Sequence, residues 1–180
     1  NELLKINKIK YFQLRLKNKS TSSLIKIAKK IKNINKKNKV KFIINDKPLV
    51  AKLVNADGCH IGQKDLNFLN SRKILKKKKI IGITCHNSIK LTKLAIKEKA
   101  DYVALGAFNF SKTKKVKYIA TINFLKRVKK ITNTPIVAIG GINSDNYKKL
   151  LLNKANFLAI SGYVWKNKKL KPVEAIKRLK

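Results

Sequence analysis

The chain has 180 residues, of which 44% are hydrophobic, and this length suits one domain with a continuous apolar core. No apolar run approaches the ~20 residues that a membrane-spanning helix needs, so no membrane partner is predicted. The 45 Lys and Arg against 8 Asp and Glu give a formal charge of +37. Most of these cations are lysines spread over the predicted helices. This favours solvated helix faces over a specific nucleic-acid partner, whose surface is usually rich in Arg.

Seven short apolar runs alternate with segments of helical spacing. The predicted strands cover residues 10–16, 40–44, 58–61, 80–84, 102–106, 136–139 and 157–160. One predicted helix ends near residue 7, and the others cover about residues 24–31, 48–54, 66–75, 89–99, 120–132, 144–153 and 172–179. Strands that are apolar throughout are typical of buried parallel strands. The alternation predicts an α/β parallel barrel in a single domain over residues 1–180.

A closed (β/α)8 TIM barrel has eight strands, one more than the seven predicted here. The chain also contains no methionine, although an open reading frame begins with one. We therefore expect that the first strand of the barrel is lacking, and that it would precede the helix ending near Asn7.

Polar side chains follow the ends of the first predicted strands. Gln13, Arg15 and Lys17 alternate along one strand and so project from one face, where they suit a diphosphate. A solvated edge strand is the alternative for these three. Asp46 and Asp65 follow neighbouring strands, and two carboxylates with substrate phosphate oxygens suit Mg²⁺. Each of the two is also explained as the N-cap of the helix that follows it.

The histidines and cysteines are few and follow strand ends or lie in strands. His60 and His86 have no apparent third ligand for zinc, so each is interpreted as a hydrogen-bonded wall residue. Thr84 places a hydroxyl at a strand end without a clear base beside it. Cys59 and Cys85 are too few for a disulfide framework or a zinc site, which indicates a reducing, cytoplasmic location.

Candidate anion-binding groups occur in the second half. Ser111, Thr113 and Lys114 lie in the longest predicted loop, which is either a phosphate or carboxylate grip or a mobile lysine-rich loop. Gly141 belongs to a glycine pair that lets backbone N–H groups approach an anion at a helix start. Ser161 follows the last strand, and the loops after the last two barrel strands are the usual phosphate site. A glycine pair that merely terminates a helix is the alternative.

Taken together, these groups resemble the thiamine-phosphate synthase family over nearly the whole chain. The family pattern runs Q-x-R-x-K, N-D, G-x-H-x-G-Q-x-D, G-x-[ST]-x-H, T-x-T-K, A-I-G-G-I and [IV]-S. The residues here that match are Gln13, Arg15, Lys17, Asn45, Asp46, Gly58, His60, Gly62, Gln63, Asp65, Gly82, Thr84, His86, Gly106, Thr113, Lys114, 138–142, Ile160 and Ser161, with Ser111 in place of a threonine. Leu16 and Ala107 depart from the usual Glu and Pro.

The resemblance implies a Mg²⁺-assisted transferase that joins a pyrimidinylmethyl diphosphate to a thiazole phosphate or its carboxylate and releases pyrophosphate. It implies that Asp46 and Asp65 hold the metal and that Arg15, Thr84 and Lys114 are catalytic. The implied substrate-binding residues are Gln13, Arg15, Lys17, Asn45, His60, Thr84, Ser111, Thr113, Lys114, Gly141, Ile160 and Ser161.

Three matters stay open in the sequence. The sister group of thiazole tautomerases shares the fold, and there His86 would act as acid and base. A basic, non-enzymatic nucleic-acid-binding barrel is a second alternative, although no specific nucleic acid is expected. The expected partners are the small-molecule substrates, and a homo-oligomer is left open.

Overall fold

The structure is a computed structural model that describes residues 2–110 and 117–179. The predicted loop residues Ser111, Thr113 and Lys114 lie outside the described residues. The chain divides into two compact units, Asn1–Ile83 and Thr84–Lys180, and each is described by itself. The single domain over residues 1–180 stays a prediction.

In the first unit, strands pair in parallel because each helix returns the chain to the same end of the sheet. After a 3₁₀ turn (Glu2–Lys5), the elements are β1 (Tyr11–Leu14), α1 (Thr21–Lys37), β2 (Lys41–Asn45), α2 (Pro48–Leu53), β3 (Gly58–Ile61), α3 (Phe68–Leu75) and β4 (Ile80–His86), whose last three residues belong to the second unit. Phe42 is opposite Phe12 on one side, and Ile44 is opposite Cys59 on the other. Phe42 and Ile44 are completely buried, which gives this unit its core.

The second unit repeats the alternation. Its elements are α4 (Ile89–Lys97), β5 (Tyr102–Gly106), α5 (Ile122–Ile131), β6 (Ile136–Ile139), α6 (Tyr147–Leu152), β7 (Phe157–Ala159), α7 (Gly162–Trp165) and α8 (Pro172–Lys177). Strands β5, β6 and β7 pair in parallel, with Val137 opposite Ala104 on one side and Phe157 on the other. Val103, Leu105 and Ile136 are fully buried in the core of this unit.

One junction recurs where a helix leads back into a strand. A residue with positive φ follows the helix, as Asn55 (φ 49°) does after α2 and Lys154 (φ 73°) after α6. This left-handed residue turns the chain and ends the helix. The next residue then donates its N–H to a carbonyl in the last turn: Ala56 to Ala51 at 2.8 Å, and Ala155 to Leu150 at 3.1 Å. The same pattern occurs at Lys39 and Lys99, so four turns from a helix into the next strand share one local structure.

A polar side chain directly after two of these junctions ties neighbouring strands together. Asp57 accepts a hydrogen bond from the N–H of Phe42 at 2.8 Å, and its other oxygen pairs with Lys41 Nζ at 3.4 Å. In the second unit, Asn156 accepts from the N–H of Ile136 at 2.9 Å. Each side chain therefore gives a hydrogen-bond partner to a backbone N–H near the start of the preceding strand.

Two element boundaries that bear on the predicted site residues differ from the sequence prediction. Strand β1 ends at Leu14, so Arg15 and Lys17 follow the strand instead of sharing a strand face with Gln13. The pairing partner β2 turns at Asp46 (φ 65°), and Leu14 opposite Ile44 is the last pair. Helix α6 begins at Tyr147, since the Asn143 side chain accepts from the N–H groups of residues 145 and 146 and forms a turn instead.

The four-residue helix α7 (Gly162–Trp165) was not predicted from the sequence, because it is too short to show helical periodicity. Its presence means that the glycine after Ser161 starts a helical turn. The predicted final helix is confirmed as α8, which ends two residues earlier than expected.

Removing the Asp57 carboxylate should destabilise the fold. Asp57→Ala leaves the N–H of Phe42 without a partner at a buried position, and we expect the free energy of unfolding to fall by about 1–3 kcal/mol in urea titrations. Asp57→Asn keeps an acceptor oxygen and should lose less. Equal losses for both variants would show that the hydrogen bond to Phe42 contributes little.

Candidate active site

Two carboxylates meet at the carboxyl ends of β2 and β3. The register places Asn45 opposite His60, and the next residue, Asp46, donates its N–H to the His60 carbonyl at 2.8 Å. Asp65 returns toward β3 through a tight turn in which its Oδ2 accepts from the N–H of Gly62 at 2.6 Å. The Asp46 and Asp65 side chains are hydrogen-bonded to each other. The structure thus brings together the two acidic residues that the sequence singled out as metal ligands.

Neither carboxylate is a helix N-cap, so that alternative interpretation is wrong. The N-cap of α2 is Lys47, which makes no capping side-chain hydrogen bond. The N-cap of α3 is Asn67, whose side chain accepts from the N–H of Asn70 at 2.9 Å. Asp46 and Asp65 are therefore not explained by helix capping.

The electrostatics of the pair identify its neighbours. Burial raises the pKa of Asp46 to about 6, and the hydrogen bond to Asp65 and its charge act in the same direction. Arg15 and Lys17 oppose this shift and lower the pKa of Asp46. Both cations therefore lie within electrostatic reach of the carboxylates, although their side chains are exposed and follow β1. Gln13, on β1 itself, is also exposed.

His60 forms a buried wall beside the acidic pair. It is 8% exposed, and burial lowers its pKa to about 4 despite the opposing charge of Asp65. Arg15 lowers the pKa of His60 further. The imidazole is therefore neutral at pH 7 and can offer one donor and one acceptor.

The donor set of the pair fits a hard cation that is completed by other oxygens. Within residues 2–110 and 117–179, no group of three or more His, Cys, Asp and Glu side chains could hold a metal ion. Two ionised carboxylates this close together concentrate negative charge, which Mg²⁺ would neutralise while taking its remaining ligands from water and phosphate oxygens.

In the second unit, a glycine pair after β6 lies against the segment that follows β5. Gly140 (φ 102°) and Gly141 (φ 59°) adopt left-handed backbone conformations. A Cβ on Gly140 would collide with Ala107, and one on Gly141 would collide with the Phe110 carbonyl. The N–H of Asn109 donates to the Gly140 carbonyl at 3.1 Å. Glycine is needed at both positions for conformation and for close approach.

The remaining predicted residues of the second unit also lie at strand ends. Thr84 is half-buried in β4, and His86 is the last residue of that strand. Ile160 and Ser161 follow β7, and Ser161 is the N-cap of α7, with its carbonyl accepting from Trp165 at 2.9 Å. The glycine pair is not at a helix start as predicted, because a turn separates it from α6.

Sequence reasoning missed two residues next to His86. The His86 ring contacts the Tyr118 ring with centroids 4.6 Å apart. Asn87 Nδ2 donates to the Ile119 carbonyl at 3.0 Å. Neither Asn87 nor Tyr118 belongs to a recognisable motif. The two contacts depend on the return of the chain after β5, which the sequence does not show.

A parallel α/β fold with an acidic pair, flanking cations and a glycine-lined strand end defines an enzyme for phosphate-bearing substrates. The chain belongs to the family described as thiamine monophosphate synthase, whose sequence profile matches residues 1–164. No helix within the described residues is long and apolar enough to cross a membrane.

Curated relatives agree with this family. The chain is 64% identical over 178 residues to a thiamine-phosphate synthase of Pelagibacter ubique, covering 99% of this chain and 86% of that protein. It is 43% identical over 148 residues to a thiamine-phosphate synthase of Clostridium tetani, covering 82% of this chain and 70% of that protein. Both proteins are named for a transferase reaction.

Solved structures agree in fold. A thiamine phosphate pyrophosphorylase from Pyrococcus furiosus superposes with a TM-score of 0.89 at 26% identity, covering 99% of this chain and 84% of that one. A 3-hexulose-6-phosphate synthase superposes with a TM-score of 0.67 at 13% identity, covering 98% and 88%, which shows the fold alone. The predicted α/β barrel class is confirmed, and seven strands, one fewer than a closed barrel has, are found among the described residues.

Asp46→Asn should stabilise the protein at neutral pH. The pKa of Asp46 in the folded state, about 6, exceeds the ordinary value of 3.8, so its contribution to stability is present below pH 4 and lost as pH rises through 6. Asn removes this loss, and we expect a gain of about 1 kcal/mol at pH 7, discounted for the partial exposure of the carboxyl group.

Urea unfolding at pH 4, 5.5 and 7 measures this effect as the difference between variant and wild type. His60 contributes in both proteins and cancels in that difference. Asp145→Asn, on an exposed loop, serves as the control for the loss of a carboxylate that is not buried. A gain for Asp46→Asn that is constant across pH would contradict the assigned cause.

Proposed function

We propose that this chain joins a 4-amino-2-methyl-5-pyrimidinylmethyl diphosphate to a thiazole phosphate, forming thiamine phosphate and releasing pyrophosphate. With the thiazole carboxylate as substrate, carbon dioxide is released as well and a proton is taken up. The observation that carries this proposal is the 64% identity over 99% of the chain to a thiamine-phosphate synthase. The meeting of Asp46 and Asp65 beside two cations supports it independently, because departure of a diphosphate requires charge neutralisation.

The first step breaks the bond between the pyrimidinyl methylene carbon and the diphosphate oxygen. The electron pair leaves with pyrophosphate, and the methylene carbon becomes a carbocation stabilised by the aminopyrimidine ring. Arg15 binds the departing phosphates with its planar guanidinium, and Lys17 adds a second positive charge. We assign Lys114, which lies outside the described residues, to the same leaving group.

Asp46 and Asp65 would hold Mg²⁺ through their carboxylate oxygens. Bound there, the ion supplies Lewis-acid stabilisation of the negative charge that develops on the leaving diphosphate. Their negative charge also attracts Arg15 and Lys17, whose charges lower the pKa of Asp46.

The second step forms a bond between the thiazole ring nitrogen and the carbocation. It needs no base, because the nitrogen uses its own lone pair and carries no proton. Gln13, Asn45 and Thr84 orient the pyrimidine and the diphosphate, and His60 lines the pyrimidine as a neutral hydrogen-bonding wall. Positioning carries much of the rate, since the protein supplies little covalent chemistry.

The thiazole phosphate is assigned to residues of the second unit. Gly141 lets backbone approach the phosphate, and Ile160 and Ser161 follow the last strand, where barrels commonly bind phosphate. Ser111 and Thr113, outside the described residues, are proposed for the thiazole carboxylate. The expected partners are therefore small molecules and no specific nucleic acid.

We also propose a cytoplasmic location. Cys59 and Cys85 are buried free thiols, and burial raises the pKa of each to about 12. Such thiols are inert packing residues of the kind found in reducing compartments.

Pyrophosphate release from the two substrates tests the reaction and its metal dependence. Wild type should release pyrophosphate and form thiamine phosphate with Mg²⁺ present. Asp65→Asn should lower the rate at least tenfold and raise the Mg²⁺ concentration for half-maximal rate, because a hard oxygen charge is lost. The control Asp145→Asn should retain wild-type activity. Asp65→Asn with an unchanged Mg²⁺ requirement would refute the metal role.

Arg15→Ala tests the diphosphate grip. A charged hydrogen bond contributes about 1.5–3 kcal/mol, so we expect kcat/KM to fall at least tenfold. Arg15→Lys keeps the charge without the bidentate geometry and should be intermediate. Arg127→Ala, an exposed arginine on α5, is the matched control and should stay within about twofold of wild type. Equal rates for Arg15→Ala and Arg127→Ala would remove Arg15 from the site.

A further inference from the structure

The segment after β5 contains two arms that are hydrogen-bonded to each other. The outgoing arm is residues 107–110, and the returning arm is residues 117–120. The N–H of Ala107 donates to the Tyr118 carbonyl at 2.9 Å, and the N–H of Ala120 donates to the Ala107 carbonyl at 2.8 Å. Ala107 is therefore held on both sides by the returning arm. A displacement of residues 117–120 would be transmitted to residue 107 through these two hydrogen bonds.

The outgoing arm packs against Gly140 and Gly141. The N–H of Phe108 donates to the Ile139 carbonyl and that of Asn109 to the Gly140 carbonyl, each at 3.1 Å. Ala107 lies so close to Gly140 that a methyl group there would not fit. The position of the outgoing arm therefore sets the shape of the backbone around Gly140 and Gly141.

The returning arm is attached to the end of β4. Asn87 Nδ2 donates to the Ile119 carbonyl at 3.0 Å, and the His86 ring contacts the Tyr118 ring. His86 has a positive φ of 52°, which redirects the chain just before Asn87. Asn87 is exposed, so its side chain contributes no core packing that would account for its place.

We propose that Asn87 is a positioning residue for the thiazole phosphate. Its amide holds the returning arm, the returning arm holds Ala107, and the outgoing arm shapes the backbone at Gly140 and Gly141. Asn87 does not touch the reacting atoms in this role. The inference rests on the proposed function, because the glycine pair is assigned there to the thiazole phosphate.

The role predicts a selective loss of affinity. Asn87→Ala and Asn87→Asp both remove the amide donor, and the carboxylate additionally repels the Ile119 carbonyl. We expect KM for the thiazole phosphate to rise about fivefold or more, with Asp at least as damaging as Ala. KM for the pyrimidine diphosphate and kcat should stay within about twofold of wild type. Asn87→Gln keeps the donor and should recover part of the affinity.

The matched control is Asn153, whose Nδ2 donates to the Lys149 carbonyl at 2.8 Å at the end of α6. Asn153→Ala and Asn153→Asp should leave both KM values unchanged. The thermal midpoint is recorded for every variant. A lowered midpoint with unchanged KM, or an equal rise in both KM values, would show a merely structural role and overturn the proposal.

Titration calorimetry with the thiazole phosphate alone separates this inference from the proposed reaction. If wild type releases no pyrophosphate, the proposed function fails, and calorimetry still decides the role of Asn87. Weaker binding to the Asn87 variants than to wild type and the Asn153 variants would support that role. Equal binding by all, or no binding by wild type, would refute it.

Discussion

The register of β2 against β3 is the constraint on which the acidic site depends. Asn45 lies opposite His60, and this alignment delivers Asp46 to the turn that carries Asp65. A slip by one residue would turn the side chains of β2 to the opposite face and separate the two carboxylates. In this register Ile44 lies opposite Cys59, and both side chains are completely buried.

The register thus brings two carboxylates together in a chain that has only 8 acidic residues and a formal charge of +37. Of the acidic residues, Asp57 ties β2 to the turn before β3, whereas Asp46 and Asp65 meet without a structural role as caps. The raised pKa of Asp46 indicates that folding works against this pair. A loss of stability at a functional site is a common feature of enzymes. The surrounding positive potential would also attract anionic substrates.

The glycine pair of the second unit allows a close approach of backbone segments. Two left-handed glycines give this geometry, and the segment after β5 packs where their side chains would otherwise be. Such a surface has no side chains of its own to hold its shape. It depends on neighbouring segments, and hydrogen bonds such as that from Asn87 to Ile119 therefore acquire a functional role.

The sequence by itself determined the class of fold and the family. Buried parallel strands are apolar throughout, so the seven strands could be predicted from the sequence pattern. The left-handed residues and helix caps also act locally. The ordered motif residues indicated the family. Local pattern did not show that β1 stops at Leu14, since the turn of its partner strand at Asp46 ends the pairing.

The tertiary structure alone decided against helix capping for Asp46 and Asp65, and metal binding by these residues stays a prediction. Both interpretations fit the same spacing along the chain, and the difference is a contact between side chains 19 positions apart. The same holds for Asn87, whose partner Ile119 is 32 positions away. Contacts of this kind depend on how loops return after the strands, and sequence periodicity carries no signal for that path because loops have no repeating pattern of burial.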